Sequence, residues 1–366
     1  MKKLYVTRKY RKRNQQRAQK SLKRKLQFKE YRRLKNQSEQ GLSKPDLTHK
    51  RNFEDRYKDY IKIHAPSKLS FIDNASEVVT FISKLKKHYD RESKVFVVLS
   101  DVTTISYDAI VVLLSVMVRF KAKRIPFNGD FPTDKDARRI LDESKFLKYL
   151  YQQFKESDRY ELGQKSSIHT YAWKDVDSEL GSQLIRQASK TVWGEERRCQ
   201  GVQRTLIELM LNTNNHAVDS KKGEKHWWIS VSHNKKDNKV GFAFIDFGVG
   251  VFTSLNNKRS DSKFYGALEK LKEKVKYGNN AELLRLILDG TLHKTATRKP
   301  YHGKGLPGIN MVLERNQISN LNIITNNVHA NVDADDFKII QNSFSGTFVY
   351  WEVNQNNLSC NGINRD

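Results

Sequence analysis

The sequence predicts an α/β protein in which two folded parts follow a basic N-terminal segment. At 366 residues the chain exceeds what one hydrophobic core usually holds, and 37% hydrophobic residues with 10% aromatics suffice for real cores. Between residues 66 and 151, short apolar runs alternate with helical periodicity. Beyond residue 175, amphipathic helical patterns precede two adjacent strand patterns, which indicates a second α/β part.

The N-terminal segment is defined by its charge. The first forty residues carry sixteen Lys and Arg against two Glu, a local charge of +14 within a total of +26. Such a segment needs a polyanionic or acidic partner, or it serves solubility. Aromatic residues lie among the cations, so we expect a non-specific nucleic-acid contact through residues 1–40, with a solvated extension as the alternative. Residues 1–60 are predicted to be a flexible basic tail, with linker composition at 41–54.

Cysteine usage and hydropathy bear on the compartment. Cys199 and Cys360 offer neither a disulfide framework nor metal-ligand spacing, so a reducing compartment is expected. The longest apolar run, Ala109–Val118, is too short to span a bilayer, and no apolar signal core follows the basic N-terminus. We therefore expect a cytoplasmic protein with no membrane partner.

The first folded part is predicted at residues 61–155. Lys94–Leu99 is typical of a buried strand and Ala109–Phe120 of a buried helix. Lys123–Phe127 suits a second strand, which Pro126 would place at a sheet edge. Residues 134–150 have helical periodicity, with Asp134 available as an N-cap.

This order of elements resembles a STAS domain, the small α/β module of anti-sigma factor antagonists. In that family a phosphorylatable Ser or Thr follows an Asp at a strand-to-helix turn. Here the acceptor position holds Tyr107 or Asp108, which departs from the pattern and argues against a serine phospho-switch. The favoured interpretation is a docking module for a protein partner, without chemistry of its own.

The second part begins with helical patterns and a hairpin. Residues 178–192 have an amphipathic helical pattern, and His226–His233 should pair antiparallel with Lys239–Asp246 across a turn at 235–238. Alternation in the first of these strands buries either Trp228 and Ser230 or Trp227 and Ile229; we favour the second set.

Leu206–Ala217 predicts a helix with two distinct faces. Glu208 and Asn212 are four residues apart and share one face, while Leu206 and Met210 lie opposite. Asn is a poor helix former, so an Asn in the middle of a helix suggests a specific role for its side chain. By itself the pattern suits a functional face and an ordinary amphipathic helix equally.

Two glycine-containing stretches follow. The apolar run Val240–Val251 predicts a strand that ends in Asp246, Gly248 and Gly250, a carboxylate beside backbone that a ligand can approach closely. Gly303, Gly305 and Gly308 precede a helical pattern, and such clusters are anion sites because first-turn N–H groups are free. Taken singly, most such clusters are only turns.

Together and in this order, these motifs resemble those of the GHKL ATPase family of histidine kinases, type II topoisomerases, a heat-shock chaperone and mismatch-repair proteins. Glu208 and Asn212 resemble its N box, Asp246 with the two following glycines its first glycine box, and Gly303-Lys304-Gly305-Leu306 its second. Gly346-Thr347-Phe348, at the start of an alternating strand, resembles the last core strand of the family.

The resemblance implies a domain at residues 175–358 with a defined architecture. It would be a two-layer α/β sandwich, a mixed sheet covered by helices on one face, with an ATP lid at residues 251–302. Two helices are expected within the lid, at 262–277 and 280–289, and Thr295–Lys299 would add hydroxyls and cations near the phosphates. Loops of this length in a compact domain are uncommon unless they function as lids.

The resemblance also implies ATP and Mg²⁺ as cofactors and a role for each motif residue. Asp246 would accept the exocyclic amine of adenine, Asn212 would bind Mg²⁺ through its carboxamide oxygen, and Glu208 would be the catalytic base. The phosphates and the rest of the nucleotide would be held by residues of the glycine boxes and the last strand, namely Gly248, Gly250, Gly303, Lys304, Gly305, Leu306 and Thr347. Lys304 could equally be solvated, and for Thr347 the favoured interpretation is a core strand residue rather than a phosphate contact.

The predicted function is therefore an ATPase whose nucleotide state regulates a partner or a nucleic-acid contact, with a homodimer as one arrangement. Glu208 by itself does not distinguish hydrolases from kinases. The alternatives are a non-hydrolysing ATP sensor that holds nucleic acid and a Ser/Thr protein kinase of the anti-sigma type.

Overall fold

The computed structural model describes residues 57–151, 168–173, 175–216, 227–257, 263–275, 279–292 and 305–357. Residues from Tyr60 onward belong to one compact unit. The predicted basic tail lies outside the described residues up to position 56, as does the linker at 41–54. The predicted domain boundary between residues 155 and 175 falls mostly outside them too and stays a prediction.

The N-terminal part is built around a small parallel sheet. In chain order its elements are β1 (Ile61–His64), β2 (Lys68–Leu69), α1 (Ala75–Asp90), β3 (Val95–Val98), β4 (Thr104–Ile105), α2 (Tyr107–Ala122), β5 (Phe127–Gly129), α3 (Lys135–Glu143) and α4 (Phe146–Tyr151). The sheet order is β1-β3-β5, and β2 pairs with β4 separately; all these pairings are parallel. Every residue of β3 is buried, as expected of a strand inside a parallel sheet.

Two of the four elements predicted here are confirmed and two need correction. The predicted buried strand and buried helix correspond to β3 and α2. The strand predicted at 123–127 is misplaced, because β5 begins only after Pro126. Proline has no N–H to donate, and outside the strand this costs the sheet no hydrogen bond. The helix predicted at 134–150 is interrupted by Lys145, whose φ of 56° is left-handed and separates α3 from α4. Asp134 does cap α3, accepting from the N–H of Ala137 at 2.8 Å.

The C-terminal part is built around an antiparallel sheet. In chain order its elements are β6 (Ile168–Trp173), α5 (Ser178–Trp193), α6 (Gln200–His216), β7 (Trp227–Asn234), β8 (Lys239–Asp246), α7 (Val251–Asn256), α8 (Lys263–Lys274), α9 (Asn280–Leu288), α10 (Leu306–Glu314), β9 (Ser319–Asn331) and β10 (Asp336–Val353). The predicted helices at 178–192, 262–277 and 280–289 are confirmed as α5, α8 and α9, and the predicted hairpin as β7 and β8.

The strand order of this sheet is β6-β7-β8-β10-β9. In the described residues each of these pairings is antiparallel, so the prediction of a mixed sheet is wrong for these strands. The physical reason is local: β7–β8 and β9–β10 are hairpins, and short connections enforce antiparallel neighbours. The coarser prediction of a mixed α/β protein, with parallel and antiparallel sheets and packed helices, is confirmed.

The last strand differs from its predicted form. It does not begin at Gly346 but ten residues earlier, at Asp336, and it passes through Gly346. The pairing of β10 with β9 is irregular between Ile339 and Thr347, and Gly346 has a φ of 131° within this irregular stretch. From Thr347 onward the strand pairs with β8 as far as Val353 and with β9 as far as Glu352.

One face of the antiparallel sheet packs against helices of the C-terminal part. The sheet contributes large side chains to this core, including Trp351 stacked on Phe242 with ring centres 5.2 Å apart. The helices contribute the apolar sides of α5, α6, α9 and α10, such as Leu184, Met210 and Ile309, all fully buried. Burial of apolar surface between the helices and the sheet is the dominant favourable contribution to the stability of this layer.

The opposite face of the sheet is covered by the N-terminal part. Phe71 packs against the rings of Phe344 and Phe348 of β10, with ring centres 5.4 Å and 4.8 Å away. The side chain of Asn342 donates to the hydroxyl of Thr80 on α1 at 2.8 Å. The sheet is therefore covered on both faces, whereas helices on a single face had been predicted.

Coverage of both faces also explains the burial of β7. The prediction favoured Trp227 and Ile229 as its buried residues, and both are fully buried. Trp228 and Ser230, on the other face of the strand, are buried as well, at 5% and 4% exposure. Alternation predicts one buried face for a half-exposed strand, and here the second face meets the N-terminal core.

Two further observations concern the compartment. Cys199, just before α6, is buried and disulfide-bonded. Its partner lies outside the described residues, and the expectation of a reducing compartment stays a prediction. Among the described residues, no helix has both the length and the apolar character required to cross a membrane.

Candidate functional site

Helix α6 presents the two residues of the predicted N box. Glu208 and Asn212 are both partly buried, while Leu206 and Met210 on the opposite side are completely buried. This confirms the two faces predicted for the helix. Within the described part of the chain, neither polar side chain makes a hydrogen bond to another group.

The beginning of α10 lies beside this face. Gly305 is the N-cap residue of α10 and has a φ of 72°, which favours glycine. A Cβ atom added there would lie 3.7 Å from the carboxamide nitrogen of Asn212. Two motifs that are far apart in the sequence are therefore adjacent in space.

The backbone donors at this helix end are restricted. Pro307 has no N–H, and the N–H of Gly308 donates to the carbonyl of Gly305 at 2.9 Å. The N–H groups of Gly305 and Leu306 remain for an anion at the N-terminus of the helix. Gly303, Lys304 and the segment Thr295–Lys299 lie outside the described residues.

A second group of predicted residues surrounds Asp246 at the end of β8. The carboxylate accepts from the N–H of Gly248 at 2.8 Å, and Thr347 of β10 lies directly opposite Asp246 in the ladder. Burial raises the pKa of Asp246 to about 6, and the contacts with Gly248 and Thr347 only partly oppose this rise. A carboxylate held this way is an unusually strong acceptor that lacks full solvation.

Thr347 is buried at 8% exposure and belongs to the regular part of β10. The two interpretations of this residue, a contact to the nucleotide and a core strand residue, are therefore compatible. Thr347 lies beside the Asp246 carboxylate. In the described residues it makes no contact with Gly305 or Asn212.

The turn after Asp246 is held by two residues that the sequence did not single out. Thr325 and Asn326 of β9 accept from the N–H groups of Val251 and Phe252, at 3.0 Å and 3.1 Å. Two first-turn donors of α7 are thus satisfied within the protein and are not offered to an anion. Nothing in the local sequence marks these two residues, because they act on a segment more than seventy positions away.

Close packing explains why two positions near this turn require glycine. A Cβ at Gly250 would lie 2.4 Å from the side chain of Asn326, and one at Gly346 would lie 2.0 Å from the carbonyl oxygen of Asp246. Both glycines have positive φ angles, 80° and 131°. Gly250, predicted to contact a cofactor, therefore has a structural role in the turn that does not depend on a ligand.

The described residues contain no cluster of three or more His, Cys, Asp or Glu side chains that could hold a metal ion. A divalent ion at Asn212 would need most of its ligands from phosphates and water, which is how Mg²⁺ is usually held with nucleotides. The donor set on α6 fits that arrangement and does not fit a metal held by protein alone.

The turn that corresponds to the phosphoacceptor position of STAS domains is buried. Asp108 is buried at 3% exposure, and its carboxylate accepts from the hydroxyl of Ser106 and from the N–H of Ile72 at 3.0 Å. Burial raises the pKa of Asp108 and also that of the neighbouring Tyr107. The hydrogen bonds of Asp108 join the start of α2 to the segment after β2.

Neither a scan against protein-family models nor a search of curated proteins finds a match to this chain.

Proposed function

We propose that the C-terminal part binds Mg-ATP between α6, the start of α10 and the end of β8, and that it hydrolyses the nucleotide. The observation that carries the proposal is the proximity of Gly305 to the Asn212 side chain, whose carboxamide nitrogen would lie 3.7 Å from a Cβ atom added at Gly305. It joins a helix N-terminus suited to phosphate with a carboxamide suited to Mg²⁺. The order of the sequence motifs supports the same assignment.

Asp246 would bind the base in this proposal. Its carboxylate would accept the exocyclic amine of adenine, and the guanine carbonyl at the equivalent position would meet an acceptor with no donor to offer. Since burying an unpaired polar group costs roughly 1–3 kcal/mol, the discrimination against GTP should be about fivefold or more. Gly248 keeps space beside the carboxylate, because a Cβ atom there would lie 2.8 Å from Asp246 Oδ1.

Asn212 and Glu208 would act on the phosphate end. Asn212 would place its carboxamide oxygen on the metal ion, which supplies charge neutralisation for the phosphates when bound. Glu208, one helical turn earlier, would orient or deprotonate a water for attack on the terminal phosphate. The lid would comprise α7, α8, α9 and the segment that follows, and its closure would exclude water.

A specific observation favours the non-hydrolysing sensor as the second candidate. In the part of the chain that the structure describes, Glu208 has no hydrogen-bond partner to orient its carboxylate. A sensor that only binds the nucleotide needs no oriented base, so this observation is compatible with binding without hydrolysis. Conformational change on binding would then be the output. The anti-sigma type of kinase, a nucleic-acid contact through residues 1–40, a docked protein partner and a homodimer remain proposals beyond this structure.

The test is Mg-ATP binding and phosphate release by the full chain. Asn212→Ala should weaken Mg-ATP binding at least about tenfold, because a metal ligand is removed. Glu208→Gln should keep the affinity and lose turnover. Glu179→Gln on α5, an exposed acid, is the matched control and should match the wild type.

Each outcome decides between the candidates. Turnover in the wild type that is lost in Glu208→Gln supports the hydrolase. Binding without turnover in both proteins supports the sensor. Unchanged affinity in Asn212→Ala, or no affinity for ATP in any protein, would remove the nucleotide proposal.

A further inference from the structure

Phe247 connects the candidate nucleotide site, formed by α6, the start of α10 and the end of β8, with the N-terminal part. In the chain it lies between Asp246, the candidate adenine acceptor, and Gly248, whose N–H donates to the Asp246 carboxylate at 2.8 Å. Its ring packs against the hydrophobic core that the N-terminal part forms with the back of the sheet. The backbone of this residue therefore belongs to the site, while its side chain belongs to the contact between the two parts.

The ring of Phe247 is held from the N-terminal part by Arg119 of α2. The guanidinium carbon lies 5.4 Å from the centre of this ring and 4.8 Å from that of Tyr89 on α1, so the cation occupies the space between the two rings. Contact with aromatic faces fixes the plane of a guanidinium group. On the side of the sheet, the ring centre of Phe344 lies 5.9 Å from that of Phe247. The position of Phe247 is thus determined jointly by α1, α2 and β10.

The backbone at this turn has no free space on the side of β10. A Cβ atom added at Gly346 would lie 2.0 Å from the carbonyl oxygen of Asp246 and 3.0 Å from the Cα atom of Phe247. Closely packed groups transmit a displacement, because they cannot be compressed. A shift of the Phe247 ring is therefore expected to move the Asp246 carboxylate, since the peptide between the two residues cannot yield toward β10.

Arg119 is an unusual residue for a position that serves packing alone. Its Nε atom is buried and, among the described residues, has no hydrogen-bond partner. Burial of an unpaired donor destabilises a protein, and an unbranched apolar side chain such as that of Met would fill the same space without this cost. Unpaired polar groups are expected where a local loss of stability serves function. The property that Met lacks is a flat cationic group that orients both rings.

We propose that Arg119 is a positioning residue for Asp246: it holds the ring of Phe247 from the N-terminal part and thereby fixes the turn that presents the carboxylate. The role of Asp246 toward adenine rests on the proposed function, whereas its dependence on Arg119 does not. The setting of the candidate adenine acceptor then follows the packing of α1 and α2 on the sheet. A partner that docks on the N-terminal part and shifts these helices would change nucleotide binding without touching the nucleotide.

The experiment titrates the Asp246 carboxyl group in the full chain without nucleotide, by NMR of protein with isotopically labelled aspartate. Asp246→Asn identifies the signal. In the wild type, burial raises the pKa of Asp246 to about 6. Arg119→Met should lower this pKa toward the ordinary value of 3.8, by about half a pH unit or more, because a loosened turn admits water to the carboxylate.

The direction of the change separates positioning from the other roles that Arg119 could have. Loss of a nearby cation through its charge alone would raise the pKa of a carboxyl group, and loss of a mere space filler would leave it unchanged. Arg119→Lys keeps the charge but not the flat group, so it should lower the pKa as well, by a smaller amount. Phe247→Leu should also lower it, and combining Phe247→Leu with Arg119→Met should lower it no further, because both variants act on one contact. Lys84→Met removes an exposed cation of α1 and should leave the pKa unchanged.

An unchanged or raised pKa of Asp246 in folded Arg119→Met overturns the proposal, as does an equal fall in Lys84→Met. Thermal unfolding verifies that each variant is folded, and if Arg119→Met is not, Arg119→Lys decides by the same criterion. Where ATP binds the wild type, Arg119→Met should weaken that binding several-fold. Because the titration needs no nucleotide, absence of ATP binding removes the proposed function and leaves the dependence of Asp246 on Arg119 standing, whereas an unchanged pKa does the reverse.

Discussion

Replacing Asp246 by Asn tests whether the buried carboxylate lowers the free energy of unfolding of the nucleotide-free protein. Burial raises its pKa from 3.8 to about 6. The folded protein therefore holds the proton between pH 4 and 6 where the unfolded chain has released it, and the free energy of unfolding falls as the pH rises through this window. A rise of this size corresponds to at most roughly 3 kcal/mol at pH 8 and roughly half of that at pH 5.

The Asn side chain keeps the oxygen that accepts from Gly248 and removes the charge. Asp246→Asn should therefore stabilise the nucleotide-free protein, by more at pH 8 than at pH 5, while weakening any binding of ATP. The assay is chemical denaturation at both pH values, with Asp175→Asn as an exposed control expected to stay within about 0.5 kcal/mol of the wild type. Destabilisation, or a gain that is equal at the two pH values, would refute the argument from burial.

The remaining predictions concern packing. Gly346→Ala should destabilise the protein by roughly 2–4 kcal/mol, because its Cβ would lie 2.0 Å from a carbonyl oxygen and its φ is 131°. Gly266 lies in an exposed part of α8 with open space around it, so Gly266→Ala should instead stabilise the protein by about 0.5–1 kcal/mol. Thermal unfolding of the two glycine variants measures both effects. Phe71→Ala should lower stability by roughly 3–5 kcal/mol. Since all five tryptophans lie in the C-terminal part, their fluorescence should report this loss if the two parts share a core, whereas the exposed Leu147→Ala should change little. A tryptophan transition unmoved by Phe71→Ala would contradict the shared core.

Several elements could be predicted because their signals are local. The hairpin of β7 and β8 was defined by two apolar runs and a polar turn between them, and the structure pairs them over Trp227–Asn234 and Lys239–Asp246. The N-cap at Asp134 depends on residues three positions apart. Helix α6 was predicted from the period of its apolar residues, which determines the face that carries Glu208 and Asn212 whatever packs against it.

Other features were mispredicted or missed because the deciding contacts are distant in sequence. The burial of Trp228 depends on α2, and the course of β10 through Gly346 depends on pairing with both β8 and β9. Thr325 and Asn326 bond to a turn more than seventy positions earlier, and no local pattern marks them. The secondary structure of a residue can follow from its neighbours in the sequence. Its partners across a sheet cannot be inferred from those neighbours.

The sequence by itself determined the kinds of elements, the acid–amide face of α6 and the order of the glycine motifs, because periodicity and turn chemistry act over a few residues. Only the tertiary structure decided what these features meet. It placed Gly305 beside Asn212, raised the pKa of Asp246 by burying it, and closed the second face of the sheet with the N-terminal part. The physical reason is that burial and proximity are properties of the packed chain, since each depends on which distant segments exclude water from a given side chain.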